Sequence, residues 1–187
     1  MRPGAKYRTA ERDRPLECFF LVAIQNSDDQ VPAIQIEPAT AGDAETLTEV
    51  SRRAFEHDVD YGSPGVCGPP GYDSPAWQRR MMKNGRYYKI LENNRIVGGL
   101  ILFRLKGEKA EFGRVFLEPD CQNRGIGSRA LDFAESAFPD VKHWALDTPS
   151  WNLRNQHVYE KAGYAKVGEI EAGDGFVLFK YEKRIEE

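Results

Sequence analysis

Val115-Phe-Leu-Glu-Pro-Asp-Cys-Gln-Asn-Arg-Gly-Ile-Gly-Ser-Arg-Ala130 reads as a buried strand, a tight polar turn and the opening of a helix. The turn has the makings of a pyrophosphate cradle. Gly125 and Gly127 carry no Cβ to hold a phosphate off the backbone, and the run from Ser128 to Ala137 has the composition of a helix. The N–H groups of that helix's first turn point into the same concavity, where they and the helix dipole favour an anion. Arg124 and Arg129 add positive charge nearby.

Two other phosphate-binding turns compete for this stretch. Gly125-Ile-Gly-Ser-Arg-Ala130 satisfies G-x-G-x-x-A, and Asp147 lies where a dinucleotide-binding fold would place its ribose acid. A Rossmann strand, however, runs almost directly into its first glycine, whereas Glu118-Pro-Asp-Cys-Gln-Asn-Arg124 intervenes here. A P-loop requires Lys-Ser or Lys-Thr after its glycines, and neither is present.

Working outward, the upstream pattern also departs from a Rossmann fold. Tyr87–Glu92 turns through Asn93-Asn94 into Ile96–Arg104, which turns through Lys106–Lys109 into Ala110–Glu118. Such short connections predict three antiparallel neighbours. Downstream the rhythm changes to helix 124–137, strand His143–Asp147, helix Leu153–Ala162 ended by Gly163, and strands Tyr164–Ile170 and Phe176–Glu182. Ile34–Thr40 alternates like a half-buried strand stopped by Pro38, and Asp43 is placed to cap a helix over Ala44–Phe55. Residues 57–77 hold too many glycines and prolines for a regular element, and a short helix follows near Ala76–Lys83. The expected fold is α/β with a mixed sheet. Strands two to four are antiparallel, and strand four, a helix and strand five form a parallel crossover.

At 187 residues and 41% hydrophobic, the chain suits one domain with a full core, assigned to residues 34–187. A net charge of −3 argues against a nucleic-acid partner and suits a cationic substrate. Cys18, Cys67 and Cys121 are widely spaced and form no Cys-x-x-Cys pair, as expected of a reducing cytoplasm. Residues 1–33 form an N-terminal extension. Its apolar run Cys18–Ile24 is too short to span a bilayer, and its basic flank is interrupted by Glu11, Asp13 and Glu17. The extension is expected to be an extra edge strand or poorly ordered, with no membrane partner. A homodimer is left open.

Residues 110–164 resemble the GNAT superfamily of acetyl-coenzyme A-dependent N-acetyltransferases. Gln122-Asn-Arg-Gly-Ile-Gly127 matches the family's [QR]-x-x-G-x-[GA], preceded by Val115-Phe-Leu-Glu-Pro119. Asn152-Leu-Arg-Asn-Gln-His-Val-Tyr-Glu-Lys-Ala-Gly-Tyr164 matches its second motif, N-x-x-[AN]-x-x-x-Y-x-K-x-G-[FY]. Ile34–Phe55 looks like the opening strand and helix, and the likeness extends over about residues 34–182. It implies acetyl-CoA as co-substrate and no metal. The implied cofactor-binding set is Phe116, Leu117, Gln122, Asn123, Arg124, Gly125, Ile126, Gly127, Ser128, Asn152, Asn155 and Tyr159. Amides of Arg124, Gly125, Gly127 and Ser128 would hold the pyrophosphate, and Phe116 and Leu117 would pair through their backbone with the pantetheine arm. Asn123 stands where many members carry glycine, and asparagine can adopt the same left-handed backbone.

The resemblance also implies roles in catalysis. Tyr159 matches the family's tyrosine near the coenzyme sulfur and is the candidate acid, since a phenol donates while staying neutral at pH 7. Glu111, placed like the base of histone-type members, is the candidate base. Asp147, Asp58 and His57 are substitutes, and a water chain could suffice. Asp58, Asp60, Tyr61 and Tyr72, with Asp73 and Trp77, are expected to build the pocket of a small-molecule or peptide amine acceptor, carboxylates drawing the amine and aromatic rings packing its carbon skeleton. His57-Asp-Val-Asp60 matches no metal-site spacing and reads as a solvated turn. The expected function is direct acetyl transfer to a primary amine. A non-catalytic coenzyme-binding or sensor domain of the same fold is the alternative, and a Rossmann dinucleotide-binding protein the remote one.

Overall fold

A computed structural model describes residues 33–172 and 176–185. The extension expected over residues 1–33, with its Cys18–Ile24 run, therefore lies outside the described residues except for Ala33. The described chain runs β1 (Ile34–Pro38), α1 (Ala44–Glu56), α2 (Pro75–Asn84), β2 (Arg86–Glu92), β3 (Arg95–Arg104), β4 (Lys109–Leu117), α3 (Ile126–Ala137), β5 (His143–Pro149), α4 (Leu153–Lys161), β6 (Ala165–Glu171) and β7 (Val177–Arg184). One sheet takes all seven strands in the order β1-β2-β3-β4-β5-β7-β6. β1 to β4 are antiparallel neighbours, and β4 pairs β5 in parallel across α3. The mixed architecture read from the sequence is thus the observed one.

Local chemistry explains the turns. Asn93 and Asn94 both take positive φ (50° and 64°), the backbone that a two-residue hairpin needs and that asparagine tolerates. Ser74 accepts from the Trp77 N–H and Pro75 follows at the first helical position, so α2 starts one residue before the expected Ala76. Asp43 departs from the expectation. It closes a short 3-10 turn over Ala41–Asp43, its Oδ2 accepting from Thr40 N–H at 2.7 Å and its carboxylate from Lys89 Nζ at 3.2 Å. It makes no side-chain bond to the first turn of α1. His57–Tyr61, expected as an irregular turn, forms a 3-10 helix.

β4 decides where the site lies. Ile101 pairs with Arg114 and Leu102 with Phe112, which leaves Gly113 as a bulge without a partner. In a regular strand Phe112 and Phe116 would share a face. The extra residue puts them on opposite ones: Phe112 packs with Leu131, Trp144 and Leu146 beneath α3, and Phe116 with Leu47, Val50 and Tyr87 beneath α1. A Cβ at Gly113 would lie 2.2 Å from the Phe103 ring, so any other residue at the bulge would have to displace that ring. Beyond the bulge β4 and β5 separate, since their ladder covers only Lys109–Phe112 against His143–Leu146.

The far end of β4 is tied to α1 by Arg53, whose Nε and Nη2 donate to the two carboxylate oxygens of Glu118 at 3.0 and 2.5 Å. Glu118 is buried, so removing its partner strands a carboxylate. Arg53→Met is expected to cost about 2 kcal/mol, read as a lowered urea midpoint, with part of it restored in the Arg53→Met, Glu118→Gln double variant.

Candidate active site

The parting of β4 from β5 opens a cleft. Its walls are Val115, Phe116 and Leu117 of β4, Gly127, Ser128 and Leu131 of α3, Arg154, Asn155, Val158 and Tyr159 of α4, and Ala54 and Phe55 of α1, with Asp58, Gln122, Asn123 and Gly125 at the connections. The turn from the strand to α3 is left-handed at two places, Asn123 (φ 59°) and Gly125 (φ 75°), so the asparagine does adopt glycine's backbone. Arg129 N–H is bonded to Gly125 O at 3.1 Å, which leaves the preceding first-turn N–H groups free of helical partners. A Cβ at Gly125 or Gly127 would meet no atom within 4 Å, so the space against these backbones is open. These features fit a diphosphate at the turn and an extended arm along the unpaired edge of β4.

Of the residues expected to bind the coenzyme, Phe116, Leu117, Gln122, Asn123, Gly125, Gly127, Ser128, Asn155 and Tyr159 line this cleft. Three others do not. The Arg124 guanidinium pairs with Glu92 at 2.6 Å on β2, and the Ile126 side chain packs with Ile90, Val97 and Ala130. Asn152 is buried and caps α4, its Oδ1 accepting from Asn155 N–H at 3.1 Å. Arg124 and Ile126 can therefore offer backbone alone. Cys121 is fully buried, and burial, with Asp120 beside it, pushes its thiol up to about 11, so it is not a nucleophile near neutral pH.

Tyr159 is walled by Tyr164 and Tyr181, ring centroids 6.4 and 6.0 Å away, and its hydroxyl makes no hydrogen bond among the described residues. Burial pushes its pKa up to about 12, with Arg154 pulling the other way. The phenol is thus a proton donor throughout the physiological range. Glu111 does not line the cleft. It stands opposite Phe103 on the α1 face of β4, before the bulge, and opposite Ala145 where β5 is still paired. Burial, then the neighbouring Asp147, raises its carboxyl above the usual range, and Lys180 opposes them.

The expected acceptor residues are dispersed. Asp58 is buried in the cleft wall and pairs with Arg154 at 3.0 Å. Asp60 faces solvent and pairs with His57 at 3.0 Å. Tyr61 lies under the Arg154 guanidinium, 3.9 Å from its ring centroid, and Tyr72 packs edge-on to Phe55 at 6.0 Å. Asp73 is exposed. Among the described residues, no three of His, Cys, Asp and Glu gather as a metal-ligand group.

Arg154 is a site residue that sequence reasoning missed. Besides Asp58 and Tyr61 it bonds Gln122 Oε1, while Gln122 Nε2 donates to Leu117 O at 3.0 Å. It therefore straps the start of α4 to the turn at the cleft mouth. Its signal in the sequence was a cation one helical turn before Val158, in the motif that carries Tyr159.

A splayed β4–β5 pair, a glycine turn capping α3 and a tyrosine from α4 meet in one cleft. The chain belongs to the acetyltransferase (GNAT) family, whose model matches residues 48–164. It is an N-acetyltransferase of that family, and the family's co-substrate is acetyl-coenzyme A. The S-(2-succino)cysteine N-acetyltransferase of Bacillus subtilis (strain 168) is 24% identical over 160 residues, 79% of this chain and 93% of that protein. The fold matches that of the PaiA N-acetyltransferase of Thermoplasma acidophilum, solved in complex with coenzyme A. That match has a TM-score of 0.67 and 20% identity, covering 82% of this chain and 99% of that one. A GNAT-family acetyltransferase of Streptococcus agalactiae matches with a TM-score of 0.70 and 19% identity, covering 82% and 96%.

Proposed function

We propose that the enzyme transfers an acetyl group from acetyl-CoA to a primary amine in a ternary complex, with Tyr159 as the acid and Glu111 as the base. The supporting observation is that the open glycine turn and Tyr159 border one cleft. A bound thioester supplies the activated acyl carbon. Backbone N–H groups of Gly125, Gly127 and Ser128 hold the diphosphate, with Asn123 and Asn155 beside them, and the unpaired edge of β4 at Phe116 and Leu117 orients the arm. Tyr159 donates to the leaving sulfur.

An alkyl ammonium with a pKa of about 10.4 must lose a proton before it attacks. Glu111 stands before the bulge on β4, outside the cleft lining, so it takes the proton through water, and its raised pKa makes it a stronger base than an ordinary carboxylate. Glu111→Gln is expected to cut kcat/KM by about 100-fold. The substitution also moves stability. A carboxyl with a raised folded pKa loses stability as pH climbs through that value, and glutamine does not. The variant's Tm at pH 8 should equal or exceed that of the parent. Unaltered turnover, or a marked fall in Tm at pH 8, removes this assignment.

The test of the whole is thiol release from acetyl-CoA over a panel of amines, with thermal shifts in acetyl-CoA and in NAD. Turnover of an amine and a shift with acetyl-CoA alone support the reading. A shift without turnover of any amine favours a coenzyme sensor, and a shift with NAD alone a dinucleotide site.

A further inference from the structure

On the α1 face of β4, between Glu111 and Phe116, stands Arg114. It pairs across the ladder with Ile101, which pairs in turn with Tyr87. Its residue is 9% exposed, and the guanidinium lies 4.1 Å from the Trp77 ring centroid and 5.6 Å from that of Phe55. Among the described residues no carboxylate pairs with it. Nη2 donates to the Pro70 carbonyl at 3.2 Å, while Nε and Nη1 are buried without an acceptor. A second unused donor lies in the same neighbourhood, for Gln78 is fully buried, its Oε1 accepts from Tyr87 OH at 2.6 Å, and its Nε2 has no partner. Burial pushes Arg114 down only to about 10, with Tyr87 opposing, so it is still a cation at pH 7. A buried cation surrounded by aromatic rings and unsatisfied donors is set to receive an anion.

We propose that Arg114 receives a carboxylate of the acceptor, which makes the substrate class amines that bear a carboxylate, α-amino acids being the simplest. This deepens the function proposed above and rests on it. Glu111, Arg114 and Phe116 follow one another on one face of β4 because the Gly113 bulge brings Arg114 into phase with Glu111. An α-amino acid carries its ammonium and carboxylate one carbon apart, and here a carboxylate base and a guanidinium are neighbours on one strand face. Phe55 touches both regions, since its ring lies beside Arg114 and Phe116 and also lines the cleft. A bidentate carboxylate grips a guanidinium edge that includes Nη2, so it takes the place of the Pro70 carbonyl. Entry therefore requires the segment 62–74 to release that bond.

The experiment compares amines differing only in the carboxylate: alanine with ethylamine, phenylalanine with 2-phenylethylamine, glutamate with 4-aminobutyrate, and each amino acid with its methyl ester. Thiol release from acetyl-CoA is followed with the full chain and with Arg114→Gln and Arg114→Lys. For at least one pair the α-acid should exceed its partner in kcat/KM by about 100-fold or more. In Arg114→Gln that ratio should collapse toward unity through a raised KM for the acid, with Arg114→Lys intermediate; a purely structural arginine would not move the ratio. Equal or better turnover of the carboxylate-free amines throughout overturns the inference while leaving acetyl transfer standing. So does a ratio that survives in a folded Arg114→Gln. The comparison in the parent chain decides the matter even if both variants fail to fold. Coenzyme binding with no turnover of any amine sinks the acetyl-transfer reading and this one with it.

Discussion

Replacing Gly127 with glutamate is expected to weaken acetyl-CoA binding by about 100-fold or more while leaving the fold at least as stable. Gly127 is the second residue of α3, and a Cβ there would point into space with no atom within 4 Å. The new carboxylate would stand beside the free first-turn N–H groups, in the region proposed above for the diphosphate. Two unit charges about 4 Å apart repel by ~4 kcal/mol at an effective dielectric constant of about 20, and each 1.4 kcal/mol is tenfold in affinity. The effect on the free protein has the opposite sign. Glycine in a helix costs about 1 kcal/mol relative to better formers, and an acid in the first turn gains about 0.3–1 kcal/mol from the dipole. Calorimetric titration with acetyl-CoA and thermal melts of the free variant separate the two. Affinity within about threefold of the parent would show that the diphosphate is held elsewhere.

The strand, open turn and helix along the cleft were legible because their determinants are local. A strand, a turn with Gly125 and Gly127 and a helix are sixteen consecutive residues, and their backbone requirements are written in residue types. The same holds for the Asn93-Asn94 hairpin, where positive φ at both positions is a property of the dipeptide. What escaped the sequence depends on contacts between distant segments. Asp58 looked like a free carboxylate for an amine, yet it pairs with Arg154 ninety-six residues away. Arg154 itself lay inside a quoted motif and received no role, since nothing near it in the chain announces Asp58, Tyr61 or Gln122 as its partners. Arg114 was hidden by phase. Alternation along β4 cannot be followed across Gly113, because the bulge is made by a mismatch with β3 rather than by any pattern within β4. Asp43 failed for a subtler reason. A short acid before a helix can bond forward to the helix or back to the preceding turn, and Thr40 and Lys89 draw it back.

Tyr159→Phe is expected to lower kcat by about 100- to 1,000-fold with the acetyl-CoA dissociation constant changed by no more than a few-fold. The ring makes the cleft wall and packs on Tyr164 and Tyr181, and phenylalanine keeps that packing. Only the hydroxyl goes, and it has no hydrogen bond among the described residues to lose. If the phenol donates to the departing sulfur, its absence is felt in the transition state and not in coenzyme binding. The pH profile carries a second signature. Burial holds Tyr159 at about 12, so the parent enzyme should show no loss of rate from deprotonation of its acid up to about pH 10. Its rate should instead rise with pH through the raised pKa of Glu111, because the base works only when ionised. The Phe variant should retain that rise at a uniformly lower level, whereas Glu111→Gln should flatten it. A Phe variant with the parent's kcat, or a parent whose rate already falls between pH 8 and 9 as its acid ionises, takes the proton donor away from Tyr159.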